Sequence, residues 1–370
     1  MNIEKNNRQK MSESSREIGS NFWIKKSNYK NKNFQNIKWL SKFGNIIFTN
    51  SGRGAISLLL EEIDPINKNV LLPAYICESV IIPFLNKGYD VYYYDVNKDL
   101  SPKSISFSKL KNIGVFIHMG YFGFSTNSKL KNILSKIKDS GTIVVEDITH
   151  TLFSNFDRYN ENDFYIGSLR KWFGIPSGGF LASKKDIKYR KLEEHKDFYN
   201  IRKEALYLKS QYLKTKNPKI KKKYLNKFAK AEKILENDTS AYSIDELSLN
   251  IIKNINIKKL INNRRDNYIY LKNNLVNSKL IKPIFDNINE SICPLFFPVK
   301  IKNDRHKIRK KLIKEKIYCP IHWPISKYID ETKFKNSYEI YNVELSIPCD
   351  QRYGLKDMHR IVSVIKSFQN

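Results

Sequence analysis

Short apolar runs, rich in β-branched and aromatic residues, recur along the chain from residue 45 onward. Most of the intervals between these runs are long enough to hold a helix, and strands that alternate with helices predict βαβ units. The five runs that we interpret as strands are Asn45–Phe48, Val70–Leu72, Val91–Tyr94, Val115–His118 and Ile143–Glu146. The pattern predicts an α/β fold with a mainly parallel sheet in its large domain.

The pattern changes after Ala182. Residues from about 190 to 240 are charged and predict long helices, with few strand signals. A second predicted helix, Ile251–Leu275, has apolar residues at roughly helical spacing. Further on, Cys293–Val299 is a candidate strand, and Leu355–Phe368 is a predicted final helix. We therefore expect a smaller C-terminal α/β domain.

The start of the chain is polar and rich in Asn and Lys, apart from the segment Ile18–Trp23. We interpret it as an arm that packs over the body of the protein, with a disordered extreme end. The predicted organisation is an arm at residues 1–44, a large domain at 45–245 and a small domain at 246–370.

The composition is that of a globular protein, with 370 residues of which 41% are hydrophobic and 13% aromatic. The net charge of +29 raises the question of nucleic-acid binding. The lysines, however, are dispersed along the chain and mixed with asparagine, which is typical of a compositional bias and not of a basic stripe. We expect no nucleic-acid partner. A basic surface would suit a small anionic substrate.

The four cysteines are scattered and form no Cys-x-x-Cys pair, so neither a disulfide framework nor a metal site is expected. Apolar runs are too short to span a bilayer, and the N-terminus is polar without the apolar core of a signal peptide. The sequence therefore predicts a cytoplasmic protein that does not enter a membrane.

Polar and glycine-rich segments follow the predicted strands, at the sheet edge where α/β proteins bind ligands. The first is Thr49–Gly54, a turn that opens a helix and can bind an anion through free backbone N–H groups, with Arg53 as an additional donor. The alternative is an ordinary turn capped by Ser51. After the second strand, either Tyr75 or Cys77 could lie against a flat cofactor, although Tyr75 could equally belong to the core.

Lys171 lies in the tetrad Ser168–Lys171, which is followed by Ser177-Gly178-Gly179. Asp147 stands 21 residues before Ser168, at the end of an apolar run. A lysine that forms a Schiff base with a carbonyl cofactor needs an acid, small polar groups for a phosphate and glycines for close backbone approach. These residues fit pyridoxal phosphate (PLP) chemistry. The alternative is a surface lysine in a basic loop.

His150 follows Asp147 by three residues, and we expect it on the same side of the site, whereas we interpret His118 as structural. Taken together, the segments around residues 51–53, 146–150, 168–171 and 177–179 resemble the DegT–DnrJ–StrS sugar aminotransferases. The motifs Cys293–Pro298, His322-Trp323-Pro324 and Leu345–Pro348 follow in that family's order. The resemblance runs from about residue 45 to the C-terminus. It implies the three-layer large domain of the PLP-dependent transferases.

The resemblance also implies roles for individual residues. Lys171 would hold PLP covalently and later move a proton, and Asp147 would pair with the pyridine nitrogen. The phosphate would be held by Gly52, Arg53 and Gly54, with help from Ser168.

Two positions depart from the family pattern. Cys77 stands where an aromatic side chain usually stacks on the ring. His150 stands where a glutamine usually contacts the phenolic oxygen, and we expect it to add a pH dependence near neutrality.

The sequence therefore predicts a PLP-dependent aminotransferase that converts a nucleotide-linked keto sugar to an amino sugar for surface polysaccharide. Glutamate is the expected donor. The family further implies a homodimer whose helical segment 190–245 reaches across the interface. The alternatives are a sugar dehydratase of the same family, which typically has histidine in place of the lysine, and a non-catalytic regulator of the same fold.

Overall fold

A computed structural model describes residues 16–24, 37–105, 112–188, 191–302 and 304–368. The extreme end of the chain, which we predict to be disordered, lies outside the described residues. Within these ranges, no helix is both long and apolar enough to cross a membrane.

Seven strands form the central sheet, in the order β2-β8-β7-β6-β5-β3-β4. The two strands at one side, β2 and β8, pair antiparallel, and β8 also pairs antiparallel with β7, while the remaining neighbours are parallel. The strands are β2 (Asn45–Thr49), β3 (Asn69–Pro73), β4 (Asp90–Tyr94), β5 (Val115–Met119), β6 (Ile143–Asp147), β7 (Phe164–Ser168) and β8 (Gly179–Ser183). The five predicted strands and the α/β fold class are confirmed. Strands β7 and β8 are additional.

Helices cover both faces of the sheet, which gives three layers. Side chains alternate along a strand, so Ile166 and Leu181 enter one core whereas Tyr165 and Phe180 enter the other. The first core is closed by α1 (Gly52–Glu62), α2 (Glu78–Asn86) and α3 (Lys131–Asp139). The second is closed by a helical hairpin and by α6 (Glu246–Lys253).

The helical hairpin consists of α4 (Lys196–Thr215) and α5 (Pro218–Asn237). Lys216 turns the chain with a φ of 54°, and the side chain of Asn217 caps α5. Proline in the first turn suits a helix start because its missing N–H would have no helical partner there. The predicted helical character of this region is confirmed.

The stretch predicted to be helical, Ile251–Leu275, is helical apart from one short break. The region contains α6 and α7 (Ile257–Leu275), separated by a short break at Asn254–Asn256. The side chain of Asn256 accepts a hydrogen bond from Lys259 N at 2.9 Å and so starts a new helix. Asparagine bonds readily to nearby backbone groups, and this favours caps over helix interiors.

The C-terminal part contains a three-stranded antiparallel sheet in the order β12-β10-β9. Its strands are β9 (Ile281–Pro283), β10 (Phe297–Ile301) and β12 (Glu344–Ile347), and its helices are α8 (Arg305–Lys314), α9 (Lys335–Val343) and α10 (Leu355–Ser367). The predicted final helix therefore exists as α10. The domain limits at 45, 245 and 246 stay predictions.

The predicted strand at Cys293–Val299 begins four residues late, at Phe297. Its first part is a loop that bonds to the large domain: Cys293 N donates to Ser154 Oγ at 3.0 Å, and Leu295 N donates to Phe122 O at 2.9 Å. Pro294 has no N–H to offer to a sheet ladder. Apolar content alone does not separate such a buried loop from a strand.

The described part of the arm is joined to the rest of the protein. Strand β1 (Ile18–Gly19) pairs in parallel with β11 (Ile317–Tyr318). Next to it, the buried carboxylate of Glu17 accepts hydrogen bonds at its Oε1 from Lys221 Nζ at 2.6 Å, Tyr212 OH at 3.0 Å and Tyr318 OH at 3.2 Å. One carboxylate thus ties the arm to the hairpin and to the C-terminal part.

Replacing Glu17 with glutamine should lower the free energy of unfolding by roughly 1–3 kcal/mol at pH 7, the scale of hydrogen bonds to a buried charge. Burial acts to raise the pKa of Glu17, but Lys221 and Tyr212 lower it overall. A lowered pKa means that the carboxylate stabilises the fold above its unfolded pKa and loses this contribution as the pH falls through its folded value. Urea unfolding at pH 7 and near pH 4 should therefore show the difference between Glu17→Gln and wild type shrinking on acidification.

The exposed Glu236 offers a matched control for this measurement. Glu236→Gln should unfold like the wild type at both pH values. Equal stability of Glu17→Gln and wild type at pH 7 would show that the arm is not held by this carboxylate.

Candidate active site

A cavity of about 250 Å³ lies at the carboxyl ends of the parallel strands. Seven of the eight site residues proposed from the sequence line it: Gly52, Arg53, Cys77, Asp147, His150, Ser168 and Lys171. These residues come from four separate segments of the chain, so the sheet topology brings them together. The eighth residue, Gly54, does not line the cavity.

The start of α1 forms the anion-binding end of the cavity. Ser51 Oγ caps the helix by accepting a hydrogen bond from Gly54 N at 3.0 Å. Gly54 N therefore serves the turn, and a contact of Gly54 with a cofactor phosphate stays a prediction. The helix dipole and the N–H groups of the first turn favour a bound anion beside Gly52 and Arg53.

Strand β8 lies unusually close to this turn. A Cβ atom at Gly179 would stand 2.2 Å from Ser51 O, so only glycine fits here. Gly178 N donates to Asn50 O at 2.7 Å and holds the two segments in register. The glycine pair Gly178-Gly179 therefore packs directly against the backbone of the anion-binding turn.

Asp147 is the last residue of β6 and is buried. Its Oδ1 accepts a hydrogen bond from Thr149 N at 2.8 Å. Burial raises the pKa of Asp147, while the hydrogen bonds from Thr149 and the charge of Lys171 oppose the rise. A buried carboxylate of this kind favours a positively charged partner in the cavity.

Lys171 follows β7 at the end of one turn of 3₁₀ helix, Leu169–Lys171. Buried neighbours anchor the turn: Leu169 and Trp172 pack in the core, and Trp172 Nε1 donates to Thr149 O at 2.7 Å. The lysine side chain itself is exposed and lines the cavity. A rigid turn therefore presents a free amine to the same space that Asp147 faces.

Thr149 connects the acid to the lysine turn, a role that the sequence analysis missed. Besides its bond to Asp147, its Oγ1 accepts a hydrogen bond from Ser168 N at 3.0 Å. Its carbonyl binds Trp172 as described above. The sequence could have indicated this role, because Thr149 lies between Asp147 and His150 in the motif.

His150 is buried and lines the cavity, with its ring stacked on Trp323 at a centroid distance of 5.2 Å. Its Nδ1 accepts a hydrogen bond from Phe122 N at 3.3 Å, so the proton of the neutral ring belongs on Nε2. Burial and the charge of Lys171 lower the pKa of His150 to about 3. The expected pH dependence near neutrality is therefore wrong for this environment, because the ring is neutral throughout that range.

Of the two candidates in the second segment, Cys77 lines the cavity and Tyr75 does not. Tyr75 is buried with its ring against Tyr121, Trp323 and Tyr341, and its hydroxyl donates to His322 O. The aromatic side chain at the cavity wall is instead Trp323. The sequence analysis placed Trp323 only within a family motif and gave it no role.

A buried chain of hydrogen bonds reaches the site from the C-terminal part. Ser346 Oγ donates to Glu344 Oε1 at 2.5 Å and lies 2.8 Å from His322 Nδ1. His322 N also donates to Glu344 Oε2 at 2.8 Å. Burial raises the pKa of Glu344 to about 8, although the hydrogen bonds from Ser346 and His322 oppose the rise. Sequence reasoning missed this connection because its members are spread over 25 residues.

A second cavity of about 490 Å³ adjoins the first. The two share Ser168, Arg170, Lys171 and Glu232, and His322 lines the second. The amine of Lys171 is therefore accessible from both sides. The smaller cavity offers an acid and an anion-binding turn, and the larger one has room for another molecule.

A scan against protein-family models and a search of curated protein sequences found no match. Among solved structures, the chain is similar to Helicobacter pylori PseC, an aminotransferase involved in the biosynthesis of pseudoaminic acid. The TM-score is 0.67 at 13% identity, covering 96% of this chain and 99% of PseC.

Two further structures extend this comparison. Spr1654 of Streptococcus pneumoniae, assigned as a sugar aminotransferase and solved in its PLP form, matches with a TM-score of 0.66 at 14% identity, covering 95% of this chain and 98% of that one. A DegT DnrJ EryC1 StrS aminotransferase of Brucella abortus matches with a TM-score of 0.62 at 13% identity, covering 94% and 92%. The chain thus has the fold of these sugar aminotransferases along nearly its whole length. The resemblance drawn from the motifs is confirmed at the level of the fold.

The structure predicts that His150 does not titrate between about pH 5 and pH 8, unlike an ordinary histidine. A pKa lowered to about 3 means that the neutral ring persists at every higher pH. Histidine-selective NMR of the unliganded protein should show this as a cross-peak that stays in place over that range. Its assignment would come from its loss in His150→Gln. A His150 signal that moves with a midpoint near pH 6.5 would contradict the burial argument.

Proposed function

We propose that the protein is a PLP-dependent aminotransferase that converts a keto sugar, carried on a nucleotide, to an amino sugar with glutamate as donor. The product would serve surface polysaccharide synthesis, and the reaction would take place in the cytoplasm. One observation carries the proposal: Asp147, Lys171 and the anion-binding start of α1 all border a single cavity.

The residues present suit PLP. Its phosphate matches the first turn of α1, where the buried Arg53 Nε has no hydrogen-bond partner among the described residues and Ser168 borders the same space. Its pyridine nitrogen, when protonated, supplies the positive partner that buried Asp147 favours. Its aldehyde matches the free amine of Lys171. When bound, PLP supplies an electron sink for the carbon that exchanges its amino group.

The side chains have distinct tasks in this proposal. Asp147, held by Thr149, keeps the ring nitrogen protonated. Lys171 binds the cofactor and afterwards moves a proton to or from the reacting carbon, since its amine reaches both cavities. His150 offers its Nε2–H as a hydrogen-bond donor, and Trp323 holds the imidazole ring in place.

The named activities of the structural neighbours support the sugar as substrate, and the PLP and PMP forms of Spr1654 support the cofactor. The net charge of +29 and the second cavity support a large anionic substrate such as a nucleotide-linked sugar. The presence of Lys171 disfavours the related dehydratases, which we expect to have histidine there. We also propose a homodimer, with the α4–α5 hairpin as the element that contacts the partner.

Incubation with glutamate and a panel of nucleotide-linked keto sugars should yield 2-oxoglutarate and an amino sugar, detected by a coupled assay and by mass spectrometry. Lys171→Ala should lose this turnover by several orders of magnitude, because it removes both the covalent anchor and the proton carrier. Lys196→Ala, which removes an exposed lysine, should keep it.

A panel that lacks the right sugar still gives a decisive result. Glutamate alone should release one 2-oxoglutarate per chain from the cofactor-loaded protein, because half of a transamination needs no acceptor sugar. Release that is equal in wild type and Lys171→Ala, or absent with every amino acid offered as donor, would refute an aminotransferase with this active site.

A further inference from the structure

Three arginines converge on one carboxylate beside the lysine turn. Arg170 Nη2 and Arg202 Nη1 donate to Glu232 Oε1 at 2.6 and 2.7 Å, and Arg53 Nη1 lies 3.7 Å from Glu232 Oε2. Arg170 immediately precedes Lys171 in the chain, Arg202 belongs to α4 and Glu232 to α5. The cluster, which we call the arginine cluster, joins the hairpin to the site.

The charges of the arginine cluster do not balance. Three guanidinium groups face one carboxylate, and the side chains of Arg170 and Arg202 are each only 12% exposed. Among the described residues, Arg170 Nε, Arg170 Nη1 and Arg202 Nε have no hydrogen-bond partner. Burial and the neighbouring Arg170 lower the pKa of Arg202 to about 9, although Glu232 opposes this. Buried positive charges and unpaired donors are costly, and an additional anion would relieve both.

Glu232 divides the cluster into two sides. Arg53 lines the first cavity, at the anion-binding start of α1, whereas Arg202 lines the second cavity. Arg170 and Glu232 line both. An anion that uses Arg202 would therefore lie on the opposite side of Glu232 from one that uses the start of α1.

Ring contacts orient the two arginines. The guanidinium carbon of Arg170 lies 5.4 Å from the ring centre of Phe198, and that of Arg202 lies 5.4 Å from the ring centre of Phe228. Planar guanidinium groups packed against rings keep their N–H edges in a fixed direction, which suits recognition of an oxyanion.

Arg352, which also lines the second cavity, is paired with a carboxylate that it does not share with Arg170 or Arg202. Arg352 binds both carboxylate oxygens of Asp350, at 2.7 and 2.8 Å, and so has a counter-charge of its own. Arg170 and Arg202 share Glu232 with each other and with Arg53. Arg264 and Arg309 also line the second cavity and donate to backbone carbonyl oxygens, so the positive charge of its wall includes these arginines as well as Arg170 and Arg202.

We propose that Arg170 and Arg202 form a second anion subsite, distinct from the start of α1, which binds an oxyanion of a substrate on the second-cavity side of Lys171. The identity of that substrate rests on the proposed function. The oxyanion is a carboxylate if it belongs to the amino donor and a phosphate if it belongs to the nucleotide-linked sugar. Both can accept the paired N–H bonds that arginine offers.

The test measures anion binding without turnover. Protein saturated with PLP and treated with borohydride would be titrated calorimetrically, at constant ionic strength, with glutarate in one series and pyrophosphate in the other. Arg202→Gln should weaken binding of at least one of these probes about tenfold or more, because a charge-assisted hydrogen bond is lost. Lys366→Gln removes an equal charge from an exposed position of α10, outside the hairpin, and should leave binding within about twofold.

Glu232→Gln provides a second variant with the opposite expected sign. The amide oxygen can still accept from the two arginines, but the negative charge that competes with the ligand is gone. Binding should therefore tighten. A cluster that only holds the hairpin in place would give weaker or unchanged binding in both Arg202→Gln and Glu232→Gln.

The outcomes separate the two sources of the anion. If Arg202→Gln weakens the binding of glutarate alone, the subsite binds the carboxylate of the donor. If it weakens the binding of pyrophosphate alone, the subsite binds the phosphates of the sugar nucleotide. If it weakens both, the two substrates use the same subsite in turn. Equal affinities of wild type and Arg202→Gln for both probes, or no binding of either by the wild type, would overturn the proposal. Failure of the proposed function would appear separately, as protein that takes up no PLP before any anion is added.

Discussion

Asp147 is buried at the carboxyl end of β6, where water cannot solvate its charge, and the surrounding geometry is built on that carboxylate. Thr149 binds it through the backbone and then links to Ser168 and Trp172, so the acid and the lysine turn are held by one residue. The Lys171 amine reaches the same cavity from a turn anchored in the core. A buried carboxylate in this position is stabilised by a positive group, and the protonated pyridine nitrogen of PLP would supply one.

Positively charged groups lie in two regions of the site, with one carboxylate between them. The start of α1 and Arg53 provide one positive region, and Arg170 with Arg202 provides another, with Glu232 between them. Although burial acts to raise it, the three arginines and Lys171 lower the pKa of Glu232 to about 2. Glu232 is therefore always ionised. It keeps the positive groups close together without neutralising them, which leaves the site ready for anionic ligands on both sides of Lys171.

Much of this arrangement was predictable from local patterns. The five apolar runs gave five of the seven strands, and the rule that ligands bind at the carboxyl ends of parallel strands brought Arg53, Asp147 and Lys171 together. Strand β7 was not predicted because its apolar run ends at Gly167 and Ser168, and β8 was not predicted because it begins at the second glycine of the pair. The bond from Gly54 N to Ser51 was not evident from the sequence, because a glycine at a helix start can serve either the turn or a ligand.

Other features depend on distant contacts or on burial, which a sequence pattern does not contain. Trp323 reaches the cavity from the C-terminal part, and Glu232 reaches it from the hairpin. Each of them lies more than 50 residues along the chain from every other residue that lines the cavity. The pKa of His150 falls to about 3 because the ring is enclosed and faces Lys171, whereas its sequence position suggested an ordinary histidine.

The central claim is that Lys171 binds the carbonyl of PLP in a cavity that Asp147 makes suitable. The most direct measurement is reduction of the PLP-loaded protein with borohydride, followed by proteolysis and mass spectrometry to locate the attached pyridoxyl group. This account predicts one stoichiometric label, on Lys171, and no stoichiometric label in Lys171→Ala. A stoichiometric label on any other lysine, or protein that takes up no PLP, would contradict it.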